Sequence, residues 1–260
     1  MDVPIYQVDA FNNELFKGNP AAVCPLEKWL PGDVMQSIAE ENNLSETAFI
    51  VKVQAGYEIK WFTPACEVDL CGHATLAAAH VLFEHLFYEE DSIEFFSASG
   101  ILYVKRRKDG WIYLDFPTQK PRKVKNREIF RQAFGKLPVE AYKAKMLMLV
   151  YRNQQEILRL KPDYVLIKKL YNPGIIVTAP GENFDFVSRF FAPAVGINED
   201  PVTGSAHTML IPYWSNVLNK KYLSAWQCSE RGGILLCENQ SDRVLIGGHA
   251  VTYMNGIIHV

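Results

Sequence analysis

Apolar and polar positions change period several times along this chain. Ile5 to Phe11, Thr47 to Val53, Tyr57 to Phe62, Ser92 to Phe96, Ile101 to Lys105 and Trp111 to Phe116 are short runs rich in β-branched and aromatic residues. They are separated by turn signals and read as strands. Ala55-Gly56 and Asp109-Gly110 mark tight hairpins between them. From about Val34 to Asn42 the period becomes helical: Val34, Met35, Ile38 and Ala39 form one apolar stripe, with Asp33 placed to cap it. Ala74 to Phe83 has strong helix formers and little polar surface. A helix apolar nearly all round is a buried one, so strands must wrap around it.

The second half repeats this order. Asn126 to Phe134 reads as an amphipathic helix stopped by Gly135. Strands are predicted near Lys143 to Val150, Tyr164 to Lys168 and Gly174 to Ala179, and a helix from about Asn183 to Phe191, ending before Pro193. The run Asp200-Pro201-Val202-Thr203-Gly204-Ser205-Ala206-His207 then leads into apolar Thr208 to Ile211, with Pro212 inside or kinking that helix. The tail from Tyr222 to Val260 reads as strands joined at Gly232-Gly233, Ser241-Asp242 and Asn255-Gly256.

An internal duplication underlies the repetition. Glu67-x4-Gly72-x-Ala74 matches Glu199-x4-Gly204-x-Ala206, each residue 132 positions from its counterpart. Both copies precede an apolar helix. The predicted lobes are residues 1–116 and 117–260, divided near Phe116-Pro117-Thr118, with the last strand free to return to the first lobe.

Composition narrows the function. The 260 residues are 48% hydrophobic, enough for one large core or two smaller ones. A net charge of −2 and a pI near 6.3 argue against a nucleic-acid partner. The basic stretch Lys105 to Lys108 reads as the charged end of a hairpin. No run reaches the roughly 18 apolar residues that span a bilayer, so no membrane partner is expected. The N-terminus carries Asp2 and Pro4 where a signal peptide would be basic. The five cysteines are irregularly spaced and read as reduced thiols in the cytoplasm. Cys66, Cys71 and His73 lie close together but form no Cys-x-x-Cys pair, so no metal site is expected. No Gly-x-Gly-x-x-Gly or Walker loop supports hydride or phosphoryl chemistry.

Two glycines open the two apolar helices. The first amides of a helix lack internal partners and carry partial positive charge. Gly72-His73 and Gly204-Ser205 could therefore hold an anion without an arginine, or could simply allow tight turns. Glu46, at the entrance to an apolar strand, is either a solvated strand end or an acid in an apolar setting. Asp200 is equally readable as a turn residue before Pro201.

Taken together, Gly18-Asn19-Pro20-Ala21-Ala22-Val23, Asn43 to Phe49, Gly72-His73-Ala74-Thr75 and Asp200 to His207 resemble the signature blocks of the phenazine-biosynthesis PhzF-like family, in order and across nearly the whole chain. The resemblance implies an α+β fold of the diaminopimelate-epimerase type: two pseudo-symmetric lobes, each a mostly antiparallel β-sheet or barrel wrapped around a central buried helix. It implies an active site in the cleft between lobes, a small carboxylate substrate, no cofactor, and commonly a homodimer. By that resemblance Glu46 is the acid/base. His73 and Asp200 shuttle or orient protons, and Gly72, Gly204, Ser205 and Asn19 bind the substrate. The family's naming member isomerises a dihydro-hydroxyanthranilate. Cys71 departs from that member; diaminopimelate epimerases keep a catalytic cysteine in the related loop and a second one near Val202-Thr203-Gly204, where this chain has none. The expected activity is a proton-moving isomerisation. The alternatives are an epimerase or racemase using Cys71, and an inactive binder of small carboxylates.

Overall fold

The computed structural model describes residues 1–125, 127–170 and 173–260. The chain divides into two compact units, Met1–Asp115 with Gly247–Val260, and Phe116–Ile246. In the first unit the order is β1 (Asp2–Ala10), β2 (Asn19–Leu26), α1 (Gly32–Asn42), β3 (Glu46–Val53), β4 (Gly56–Phe62), β5 (Glu67–Val68), α2 (Gly72–Glu84), β6 (Ser92–Ser97), β7 (Gly100–Arg106) and β8 (Ile112–Pro117). The chain then runs through β9 (Arg122–Val124), α3 (Glu128–Phe134), β10 (Glu140–Lys143), β11 (Leu147–Val150), α4 (Gln154–Leu158), α5 (Tyr164–Leu170), β12 (Ile175–Pro180), β13 (Phe186–Ala192), β14 (Ile197–Asp200), α6 (Gly204–Leu218), β15 (Tyr222–Gln227), β16 (Gly233–Asn239) and β17 (Arg243–Gly248). The last strand, β18 (Ala250–His259), pairs with β1.

The pairings repeat. In the first unit β1–β2 is antiparallel, β2–β3 parallel, β3–β4 and β4–β5 antiparallel, β4–β6 parallel and β6–β7 antiparallel. The second unit has the same series in β10–β11, β11–β12, β12–β13, β13–β14, β13–β15 and β15–β16. In both units the apolar helix follows the short strand: α2 after β5, and α6 after β14. The duplication seen in three residues of sequence is thus a duplication of topology.

Within the first unit α2 packs against β1, β2, β3 and β18, and all of its residues except His80 and Glu84 are buried. On the other side of the same strands, Met35, Ile38 and Ala39 of α1 pack with Ala22, Cys24, Phe49 and Phe62. The second unit repeats this layering, with α3, α4 and α5 set against β11, β12 and β13 through Phe130, Phe134, Ile157, Ile167, Val177 and Phe191. Pro212 lies inside α6, as expected. It has no N–H for the Thr208 carbonyl one turn back, and the Gln119 amide donates there instead at 3.0 Å.

Several expectations are corrected. Residues 164–168 are helical, not a strand, because Asp163 caps them: its side chain accepts from Leu166 N at 3.0 Å. Residues 186–191 are strand β13, not a helix. This strand pairs on both edges and is buried on both faces, and a continuous apolar run of that kind has no period to distinguish it from a buried helix. The strand predicted over Lys143 to Val150 is two strands, folded back where Ala144 N donates to the Met146 carbonyl. Asn255-Gly256 is not a turn; both residues pair with β1, opposite Tyr6 and Ile5. Residues 19–26, not read as a strand from the sequence, form β2. At α1 the cap position belongs to Pro31, and Asp33 sits in the first turn. For α3 the stop is Gly135, at φ +76°, while Asn126 falls outside the described residues. No described helix is long and apolar enough to cross a membrane.

Burial of this kind sets an expected stability. Leu76, fully buried in α2, should cost about 2–5 kcal/mol as Leu76→Ala in urea denaturation. Leu86, well exposed just past the helix, should stay within about 0.5 kcal/mol as Leu86→Ala. Equal losses at the two positions would contradict the enclosure of α2.

Candidate active site

In the first unit the backbone brings four polar side chains together. Gly18 has φ +66°, and a Cβ there would stand 2.2 Å from the Ala10 carbonyl oxygen. Only glycine allows that approach, and it sets Asn19 opposite Ala10 at the start of β2. Glu46 opens β3 beside Ala21 of β2. Cys71 caps α2 and His73 lies in its first turn.

These groups converge on the His73 imidazole. Asn19 Nδ2 lies 3.2 Å from Nδ1. It donates there only while the ring is neutral with its proton on Nε2; when both nitrogens are protonated, the amide must turn so that Asn19 Oδ1 accepts from Nδ1. Nε2 faces Glu46 Oε2 at 3.1 Å. Both atoms are buried, and neither has an in-line hydrogen bond. The Cys71 thiol reaches Nδ1 at 3.5 Å. Burial opposes a charge on His73, but Cys71 and Glu46 outweigh it and hold the imidazole well above its usual value. Burial, then the neighbouring Glu46 charge, pushes the Cys71 thiol up. Cys71 therefore stays a thiol at neutral pH.

Ligating atoms of Glu46, Cys71 and His73 lie within 4.8 Å of one another. Cys71 and Glu46 nevertheless address opposite nitrogens of the ring, so one ion bound to His73 could not also face both. A thiol held protonated is a poor metal ligand as well. The arrangement fits proton handling better than metal binding.

The second unit holds the other expected residues at the start of α6. Asp200 is buried at the end of β14 and accepts from Thr203 Oγ1 at 2.5 Å. The Thr203 amide donates to Gln227 Oε1 at 2.9 Å, and Gln227 Nε2 donates to the Asp200 carbonyl and to Thr203 Oγ1 at 2.8 and 3.2 Å. His207 Nδ1 donates to the Thr203 carbonyl at 2.9 Å. Burial pulls His207 down to about 4, so it is a neutral structural imidazole. Gly204 is buried and Ser205 partly so. Neither α2 nor α6 has a side-chain cap, which leaves the amides of Gly72-His73 and Gly204-Ser205 without that competitor.

Sequence reading missed Thr203 and Gln227. A signal for Gln227 was present: Leu223, Ala225 and Gln227 share the buried face of β15, and a polar residue in that alternation marks a buried network. Asn19, expected to touch substrate, stands against the His73 ring.

A family model for phenazine biosynthesis-like proteins matches residues 8–256. The chain belongs to this family. A Pseudomonas aeruginosa relative, named an uncharacterized isomerase, is 50% identical over the full length of both chains. The crystal structure of an Enterococcus faecalis PhzF-family protein shares 49% identity, covers 100% of both chains and superposes with a TM-score of 0.98. A hydroxyproline epimerase from Agrobacterium vitis, at 9% identity, covers 99% of this chain and 92% of its own with a TM-score of 0.62, a likeness of fold. The PhzF-like fold is thus of the epimerase type.

The two histidines at the helix starts should titrate in opposite directions. In 15N-detected imidazole spectra, His73 should keep its second proton above pH 6.5, and His207 should stay neutral down to about pH 4. For stability, the His73 contribution is full below the unfolded value near 6.5 and is lost as pH rises through the raised folded value. His207 acts oppositely, with stability lost as pH falls from about 6.5 to about 4. Both rings titrating near 6.5 would contradict the geometry.

Proposed function

We propose that this protein is a cofactor-independent isomerase that moves a proton between carbons of a small carboxylate substrate, with Glu46 as its acid/base. One observation carries the reading: a carboxylate oxygen of Glu46 is held 3.1 Å from the His73 ring without an in-line hydrogen bond. A buried acceptor left in that state is poised for a further partner.

Glu46 takes the proton from a carbon beside the carboxylate or a conjugated alkene. The electron pair left behind delocalises toward the carboxylate, and Glu46 returns the proton to another carbon on the same face, so nothing is gained or lost overall. The substrate carboxylate suits helix-start amides, those of Gly72 at α2 or those of Gly204 and Ser205 at α6, which also favour a developing anion. His73 stabilises the ionised base and steers its proton, and Asp200 is the second acid. An ordinary glutamate is a weak base, and the buried Ala48 on the same face of β3 together with the enclosed first turn of α2 supplies the water-poor setting this role needs.

Solvent deuterium uptake tests the reading. Wild-type protein should exchange one C–H of a substrate found among cyclic and amino carboxylic acids, the dihydro-hydroxyanthranilate included. Glu46→Gln should fold, still bind carboxylates and lose turnover by at least the 10²–10⁴-fold typical of general acid–base groups, roughly. Exchange at the wild-type rate in this variant would remove Glu46 as the base and promote Asp200.

The 3.5 Å contact of Cys71 with His73 favours a second reading, an epimerase using the thiol on the opposite face. Cys71→Ala separates the two. Retained turnover, within about tenfold, means that the thiol packs; a loss of several orders of magnitude in a folded variant means that it reacts.

A further inference from the structure

Thr203 occupies the α6 position that Cys71 occupies at α2, 132 residues earlier, and every polar group it has is committed. Its amide donates to Gln227 Oε1, and its carbonyl accepts from His207 Nδ1. Its hydroxyl donates to Asp200 Oδ2 and accepts from Gln227 Nε2. A threonine hydroxyl has one proton. Because Gln227 approaches with an N–H, the hydroxyl must accept there, and its proton can go only to Asp200. The same Gln227 nitrogen donates to the Asp200 carbonyl, so one fully buried side chain fixes both the backbone of Asp200 and the hydroxyl bonded to its carboxylate.

We infer that Gln227 and Thr203 form a clamp that positions the Asp200 carboxylate for proton exchange with substrate. This rests on the proposed isomerase reading, in which Asp200 is the second acid. Neither clamp residue needs to touch substrate. Thr203 is not a substitute nucleophile for a missing thiol, since its hydroxyl is spent on Asp200. The side chain facing substrate from this helix start is then the carboxylate itself, turned to one orientation. Gln227 is suited to the task by having an acceptor and a donor on one planar group. Glutamate in its place could accept from the Thr203 amide but, ionised, could not donate to Asp200 or to the hydroxyl. A hydroxyl facing that carboxylate would have two acceptors to choose from, and the orientation of Asp200 would be lost.

The test uses the full chain and two kinds of readout. In threonine-labelled protein the buried Thr203 hydroxyl proton should give a resolved, slowly exchanging NMR signal, and Gln227→Glu should shift or broaden it. A purely structural glutamine would change the melting temperature and leave that signal in place. With the dihydro-hydroxyanthranilate as probe, Thr203→Val should lower kcat at least tenfold with KM within about twofold, and Thr203→Ser, which restores the hydroxyl, should recover it. An unchanged hydroxyl signal in Gln227→Glu, or wild-type kcat in Thr203→Val, overturns the clamp. Should Gln227→Glu fail to fold, the Thr203→Val and Thr203→Ser pair decides alone. If Glu46→Gln and Asp200→Asn turn over normally, the isomerase reading has failed instead, and the NMR signal still reports whether the clamp exists.

Discussion

Two helices without a polar face set the terms for this structure. A helix such as α2, buried at all but two of its residues, is stable only if strands enclose it. Enclosure of the helix also encloses its first turn, where backbone amides point outward with no carbonyl to meet them. Here the sequence supplies no side-chain cap at either helix. The consequence reaches from packing to chemistry. The partial charge at each start is left for something other than the chain's own side chains, and polar residues placed nearby sit in surroundings poor in water.

The placement of those residues begins with backbone geometry. Gly18 permits an approach to the Ala10 carbonyl that no side chain would survive, and this brings Asn19 onto the edge of β2 beside the first turn of α2. From there the Asn19 amide meets His73 Nδ1 at 3.2 Å, on the ring edge opposite the Nε2 that faces Glu46. A substitution at Gly18 would therefore act on the imidazole through the register of a strand. The Gly-Asn-Pro block reads as weak when taken as a motif, and it becomes specific once its geometry is followed to the ring.

Much of this was legible in the sequence, and the failures have identifiable causes. The all-apolar character of Ala74 to Phe83 and the Gly72/Gly204 spacing carried the duplicated, helix-enclosing architecture. Phe186 to Ala192 was misread because a strand buried on both faces has lost its alternation. Tyr164 to Leu170 was misread because β-rich composition was weighed above the Pro162-Asp163 start signal, which the structure uses. Glu46, His73 and Asp200 were nameable only through the resemblance of their surrounding blocks. Their contacts depend on side chains from distant segments, and no local pattern announces that Gln227 reaches back to residues 200 and 203.

Equal topology has been filled with unequal chemistry. Six strand pairings recur in the same order and sense in the two units, so a common backbone precedes the difference between them. At the positions related by the 132-residue offset, Cys71 answers to Thr203 and His73 to Ser205. On one side, a carboxylate and an imidazole meet at 3.1 Å without an in-line bond, an arrangement with capacity in reserve. On the other, the threonine is saturated by four side-chain hydrogen bonds from three residues, an arrangement that holds its neighbour still. Two identical halves would supply two of one kind. The divergence at these few positions gives each unit its own, while the duplicated pairings keep both at the start of a buried helix.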